Sequence, residues 1–225
     1  MPAIQPPQSA PEPMARLLLQ WGVAAPPTAP VAERLGGWLG WADAIGLSQV
    51  LANPPTTATS DTARHEAQDW ASAALERLQA ELAAAFDDAL LERESAEPAP
   101  DGVPLADLMA PYRLHHAQQQ RGMAARVATL RERLRPRLAE SSGTLARLAQ
   151  LDALFERAIQ AQERALLGGL PALLTRRAEV HHATDPRHWR TRVWADLQRL
   201  LRAELDFRLQ PVQGLIEALH DDAPR

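Results

Sequence analysis

The strongest constraint on the fold is a long apolar stripe in which residues recur at helical spacing. Between residues 61 and 93, apolar side chains follow one another in alternating steps of four and three. The stripe consists of Ala71, Leu75, Leu78, Leu82, Ala85 and Ala89, and Trp70, Phe86 and Leu90 widen it. Such steps place side chains on one face, so the pattern predicts one helix of about 50 Å that packs in a hairpin, coiled coil or bundle.

Composition favours the same secondary structure along the whole chain. Hydrophobic residues make up 46% of the 225 residues, but aromatic residues only 4%. Most of the apolar residues are Ala and Leu, which are strong helix formers, and no segment shows the sustained alternation of a half-buried strand. We therefore predict an all-α fold, an elongated bundle of about six to eight helices with long antiparallel pairs and proline kinks.

A second long helix is predicted from Pro111 to Leu134, and its apolar face consists of Met123, Val127, Leu130 and Leu134. Pro136 should kink or end it, because proline removes a backbone hydrogen bond and clashes with the preceding turn. The residues Ser141-Ser142-Gly143-Thr144 should then begin another helix. Its predicted apolar stripe is Leu148, Leu151, Phe155, Ala158 and Leu166.

The last helix is predicted to begin at Asp185-Pro186, a typical cap followed by a proline at the first helical position. A bend is expected at Pro211. Glu204 and Arg208 are four residues apart and should form an ion pair. The predicted core residues of this helix are Trp194, Leu197, Leu201, Leu205, Leu209, Val212, Leu215, Ile216 and Leu219.

Proline-rich stretches suggest how the chain is divided. Residues 1–13 contain five prolines and few apolar groups, which predicts disorder. Residues 94–104 are rich in Pro and Gly and are the best candidate for a linker. We predict an N-terminal helical subregion at 14–93 and a C-terminal helical subregion at 105–225 that packs against it.

Residues 33–51 combine helical character with two tryptophans and several glycines. Gly36, Gly37 and Gly40 oppose a continuous helix by roughly 3 kcal/mol. The helix therefore breaks there, or another backbone or the rings of Trp38 and Trp41 approach closely. We interpret the segment as a compact helical corner.

Charge is segregated between the two long helices. Residues 61–97 carry ten acidic groups and three arginines, whereas residues 113–137 carry seven arginines and one glutamate. One interpretation is pairing of the two helices across the bundle. The other is an exposed basic face for an acidic partner or nucleic acid. Arg131, Arg133, Arg135 and Arg137 are spaced by two, which rotates successive side chains by about 200° and scatters them around a helix.

No motif in the chain predicts catalysis. Cysteine is absent, which excludes disulfides, thiol nucleophiles and Cys-based metal sites. Nucleotide-binding, hydrolase and zinc-helix motifs are also missing. A loop could bring together His181, His182, Asp185 and His188, but their spacing matches no established metal motif. We therefore predict no enzyme activity and no catalytic, cofactor-binding or metal-binding residues.

Tryptophan and arginine residues are the best candidates for contact with a partner, because both are enriched among interface hot spots. For the tryptophans, the alternative is a role in the core. The candidate contact residues are Trp38, Trp41, Trp189, Arg190, Arg131 and Arg135.

Three segments resemble an uncharacterised proteobacterial family, the domain-of-unknown-function family 3348. They are residues 32–48, residues 110–113 with 119–123, and residues 203–219. The resemblance implies a mainly helical bacterial protein without assigned activity. It also implies an accessory role in an inner-membrane or envelope complex.

The function that these features favour is a non-enzymatic helical scaffold or adaptor that binds protein partners. The alternative is a nucleic-acid-binding protein that uses the arginine-rich helix 113–137. No apolar run reaches the ~20 residues of a membrane span, so we expect a cytoplasmic protein, peripheral to the inner membrane through a partner. Long apolar seams can close on themselves or on a second copy, which leaves the oligomeric state open.

Overall fold

The computed structural model describes residues 13–23, 41–52, 55 and 60–222. Within these ranges the regular secondary structure is α-helical, which confirms the all-α prediction. The predicted disordered terminus, apart from Pro13, and the corner up to Gly40 lie outside the described residues. The helices are α1 (Pro13–Gln20), α2 (Trp41–Ala52), α3 (Asp61–Ala85), α4 (Ala89–Ala96), α5 (Leu105–Leu108), α6 (Ala110–Ser141), α7 (Gly143–Gly168), α8 (Leu170–Thr184) and α9 (Trp189–Asp221).

The main hydrophobic core lies where α3, α6 and α9 pack together, and α8 covers α9 from another side. Every apolar residue predicted for the core face of the last helix is buried. The core takes residues from both sides of the predicted linker, of which residues 94–96 belong to α4. The division into two subregions stays a prediction.

The long helix predicted from 61 to 93 is interrupted, and this prediction is wrong. α3 ends at Ala85, and Asp88 begins α4 by accepting hydrogen bonds from the backbone N–H groups of Leu90 and Leu91. Phe86 turns inward at the break and is fully buried, and its carbonyl accepts a 2.7 Å hydrogen bond from Gln198 Nε2. Phe86 therefore continues the buried face of α3, whereas Leu90, also predicted for that face, is 63% exposed.

Neither interior proline ends its helix. Pro136 lies inside α6 and Pro211 inside α9, so the predicted end at Leu134 is wrong. Each proline removes one backbone hydrogen bond, but tertiary packing supplies most of a helix's stability in a protein. Fully buried residues flank both positions, with Leu138 after Pro136 and Val212 after Pro211.

The predicted start of the last helix at Asp185-Pro186 is also wrong. Asp185 is the C-terminal cap of α8, where its backbone N–H bonds to the His181 carbonyl. Residues 186–188 form a turn, and α9 begins at Trp189.

The face of α7 that enters the core differs in part from the prediction. Leu148, Leu151 and Phe155 are only half-buried, and Leu166 is 61% exposed. The buried residues of α7 are Leu145, Ala146, Ala149, Leu154 and Leu167. The difference arises because α7 packs against both α6 and α2, so its apolar side chains are divided between two contact faces.

Replacing Ser142 with Ala is expected to lower the free energy of unfolding by about 1–2 kcal/mol. Ser142 Oγ accepts from the Leu145 N–H at 3.2 Å, which caps α7, and donates to Asp222 Oδ2 at 2.6 Å, which anchors the end of α9. Urea denaturation measures the loss. Thr144→Ala removes a hydroxyl from an exposed position two residues away and should change stability by less than about 0.5 kcal/mol. Equal losses for both variants would contradict the capping role.

Candidate functional site

A groove of about 430 Å³ lies between α6 and α7, with α9 as its floor. The two wall helices run antiparallel, since Arg131 reaches Asp152 whereas Gln120 reaches the Leu167 carbonyl. Leu166 stands at the rim and is largely exposed. The apolar residues that line the groove are Ala124, Val127, Ala128, Ile159, Leu166, Phe207 and Pro211.

One end of the groove is closed by an ion cluster between α6 and α7. Arg131 donates to both oxygens of Asp152, and Arg135 Nε donates to Asp152 Oδ2 at 2.8 Å. Arg135 also bonds to Glu156. Burial opposes the charged form of Arg135, but its hydrogen bonds to Glu156 and Asp152 outweigh this effect and raise its pKa. Two arginines and two carboxylates thus neutralise one another.

The other two arginines of the tract point to a different face of α6. Arg137 lies over the ring of Trp70, with 3.8 Å between Cζ and the ring centroid, and Arg133 lies 5.4 Å from the same centroid. A step of two residues turns a helix by about 200°, whereas a step of four returns to the same side. The tract therefore divides into two pairs, and it does not form one continuous basic surface.

The acidic and basic helices are neighbours, but most of the predicted charge pairing between them is absent among the described residues. α3 and α6 pack extensively. The ion pair that joins them is Arg126 with Glu81, at 3.5 Å and half-exposed. Arg131 and Arg135 instead use carboxylates on α7, because their side of α6 faces that helix.

A buried polar network lies below the middle of the groove. Glu204 of α9 is fully buried, accepts hydrogen bonds from Arg208 Nε and Nη2 at 2.9 and 2.8 Å, and accepts from Gln120 Nε2 at 3.1 Å. His116, also fully buried, has Nε2 at 3.2 Å from Glu204 Oε2. Arg208 Nη1 extends the network to Glu163 at the groove, at 2.7 Å.

Glu204 remains ionised in this network. Burial acts to raise its pKa, but the nearby His116 and Arg208 act in the opposite direction and hold the pKa of Glu204 below its ordinary value of 4.5. The predicted pair of Glu204 with Arg208 is confirmed. The sequence analysis did not predict its burial, although Glu204 lies three residues after Leu201 and seven after Leu197, on the apolar face of α9, where a charged residue points to a buried pair.

The remaining candidate contact residues lie in different environments. Trp189 is fully buried in the main core, which is one of the two alternatives considered for it. Arg190 is half-buried, and its Nη1 donates to the Glu97 carbonyl at 3.4 Å. Trp38 and the side chain of Trp41 lie outside the described residues. The groove contains Arg131, and Arg135 lies directly beside it.

The histidines of the 181–188 segment do not converge. His181 Nε2 lies 2.8 Å from Asp196 Oδ2, whereas His188 Nδ1 lies 3.2 Å from Asp185 Oδ1. Within the described ranges, no group of three or more His, Asp or Glu side chains is arranged to hold a metal ion. Every helix in those ranges is too short or too polar to cross a bilayer.

Comparison with known proteins identifies a family. A family model whose description is "Protein of unknown function (DUF3348)" matches residues 5–221, nearly the whole chain. No curated protein and no solved structure matches the chain.

Proposed function

Since the chain belongs to the DUF3348 family, we propose from its geometry that it is a non-enzymatic helical adaptor that binds a protein partner in the groove between α6 and α7. The partner segment is an amphipathic helix. We further propose that the partner belongs to an inner-membrane or envelope complex and that the adaptor acts on its cytoplasmic side.

The apolar groove carries this proposal. Two antiparallel helices above a third leave an elongated groove between them, and recognition of a helix in a groove uses apolar anchors at positions i, i+3, i+4 and i+7. Phe207 lines the groove and also packs in the small apolar cluster that holds α1. The groove is therefore continuous with a surface on which one amphipathic helix already lies.

The charges around the groove favour an apolar partner face. Arg131 is held by Asp152 and Glu156, and Arg208 by Glu204 and Glu163. A charged side chain that entered beside Arg131 or Arg208 would have to replace one of these pairs, and breaking a buried pair is costly. Large aliphatic or aromatic side chains can instead fill the space without disturbing it.

Filling the groove with a bulky side chain is expected to reduce partner capture by about tenfold or more. Ala128→Trp places an indole in the groove, whereas Ala125→Trp places one on an exposed position of the same helix that does not line the groove. A photo-crosslinking residue at Gln160, on the groove rim, would capture the partner in the native host. Loss with Ala128→Trp and retention with Ala125→Trp support the proposal. Equal capture by both variants, or no protein crosslinked in the wild-type background, would count against it.

The nucleic-acid alternative has less support from the geometry. Within helix 113–137, Arg131 and Arg135 pair with Asp152 of α7, and Arg126 pairs with Glu81 of α3. Binding through phosphates would show as retention on duplex DNA or RNA that falls steeply with salt. Such retention, lost on replacing Arg121 and Arg133, would favour the alternative.

A further inference from the structure

α1 is held on the bundle by an apolar cluster of its own. Met14 and Leu17 are buried against residues of α7, α8 and α9, and Leu18 and Trp21 pack at the edge. The surface that receives them, which we call the platform, consists of Leu167, Leu170, Leu200, Ala203 and Phe207. The main core does not include α1. Release of α1 therefore uncovers the platform and leaves the main core intact.

α1 has the properties of a docked peptide. Its eight residues are too few for an isolated helix to be stable in water, so its helicity depends on the platform. A defined stop ends it, because Gly22 adopts a φ of 73° and the Gly22 and Val23 N–H groups bond to the carbonyls of Leu19 and Leu18. The apolar contacts at positions 14, 17, 18 and 21 are the i, i+3, i+4, i+7 anchors of a helix recognised in a groove.

The arginine that contacts α1, Arg177, is itself bonded to α9. Arg177 Cζ is 5.3 Å from the centroid of the Trp21 ring, while Arg177 Nε donates to the fully buried Asp196 at 2.9 Å. His181 and Arg199 also contact Asp196. The arginine is therefore already positioned for an aromatic ring, whichever helix provides it.

We propose that α1 is an exchangeable occupant of the platform, and that a partner helix with the same apolar spacing and an aromatic residue at the last position takes its place. The platform meets the groove at Phe207, so the exchange would extend the partner-binding surface from α6 and α7 to α8. The identity of the competitor rests on the proposed function, whereas the exchange itself does not.

Cysteine labelling of the full chain tests the exchange, because the chain contains no other cysteine. Ala203→Cys places a thiol beneath α1, and Ala71→Cys places one in the main core, where the alanine is fully buried. We expect the thiol at position 203 to react with a disulfide reagent at least about tenfold faster, since local opening is more frequent than global unfolding. Equal rates would overturn the proposal, because α1 would then leave only when the protein unfolds.

A matched pair of variants and a peptide complete the test. Leu17→Asp should raise labelling at position 203 by about tenfold more and leave position 71 unchanged, whereas Leu19→Asp, on the 43%-exposed face, should change neither. In the Leu17→Asp chain, a peptide of residues 13–23 should restore protection at position 203, and the same peptide with Leu17→Asp should not. Failure of the wild-type peptide to protect would overturn the proposal. None of these measurements needs the partner, so their outcome is independent of the crosslinking at the groove.

Discussion

Replacement of Arg208 with alanine is expected to lower the free energy of unfolding by about 3–5 kcal/mol. The loss follows because Glu204 is fully buried and Arg208 provides two of its hydrogen bonds as well as its nearest guanidinium. Removing one partner of a buried pair leaves an uncompensated charge, and the remaining neighbours, Gln120 and His116, replace only part of the interaction. Urea denaturation measures the effect, and the slope of the free energy of unfolding against urea concentration should stay unchanged.

A double-mutant cycle provides the control for this prediction. Glu204→Gln removes the charge at nearly constant volume and should cost less than Arg208→Ala. In the Glu204→Gln background, Arg208→Ala should cost at least about 1 kcal/mol less than in the wild type, since no buried charge is left unpaired. Additive losses would mean that Arg208 stabilises the fold through packing and its pair with Glu163, and not through the charge of Glu204.

The same pair predicts how stability depends on pH. The pKa of Glu204 lies below its ordinary value of 4.5 in the folded protein. A carboxyl whose folded pKa is depressed stabilises the fold fully above its unfolded pKa, and this contribution is lost as the pH falls through the folded pKa. We therefore expect wild-type stability to fall more steeply below pH 4.5 than that of Glu204→Gln.

Trp189→Ala is expected to cost about 3–5 kcal/mol, the usual range for a fully buried aromatic residue. The indole begins α9 inside the main core and meets the ring of His182 edge-on at 5.7 Å. Removing it leaves a cavity where α9 packs, and the surrounding helices can close it only in part. The midpoint of urea denaturation reports the loss.

Trp189→Phe separates packing from polarity at this position. Among the described residues the buried Nε1 finds no hydrogen-bond partner, so its removal relieves an unsatisfied donor and offsets part of the lost contact area. We expect a loss clearly smaller than that of Trp189→Ala. Leu90→Ala, at a 63%-exposed site, should change stability by less than about 0.5 kcal/mol. A comparable loss for Leu90→Ala and Trp189→Ala would contradict the assignment of Trp189 to the core.

The confirmed predictions concern helices in which apolar residues recur at helical spacing without interruption. The apolar stripe of α9 and the stripe of Met123, Val127, Leu130 and Leu134 on α6 are buried as predicted. Both patterns are local, because the helical repeat alone decides which side chains share a face. The pairing of Glu204 with Arg208 could be predicted for the same reason.

The predictions that failed concern the ends of helices and the pairing of charges between helices. The break after Ala85 depends on contacts that Gln198 and His115 make to the Phe86 carbonyl from distant parts of the chain. Pro136 lies inside α6, and Leu138, the second residue after it, is fully buried in the core. Propensity predicts such a position poorly, since tertiary packing can outweigh the local preference.

Composition and residue spacing were enough to predict an all-α fold, the face of α9 that enters the core, and the run of arginines on α6. The packing of the helices was needed to show which of those arginines pair with carboxylates, that Glu204 is buried, and that α1 lies on the platform outside the main core. The physical reason is that helix formation and the choice of a buried face follow from the spacing of residues along the chain. The partner of a charge and the surface beneath a helix instead depend on side chains that lie far away in sequence.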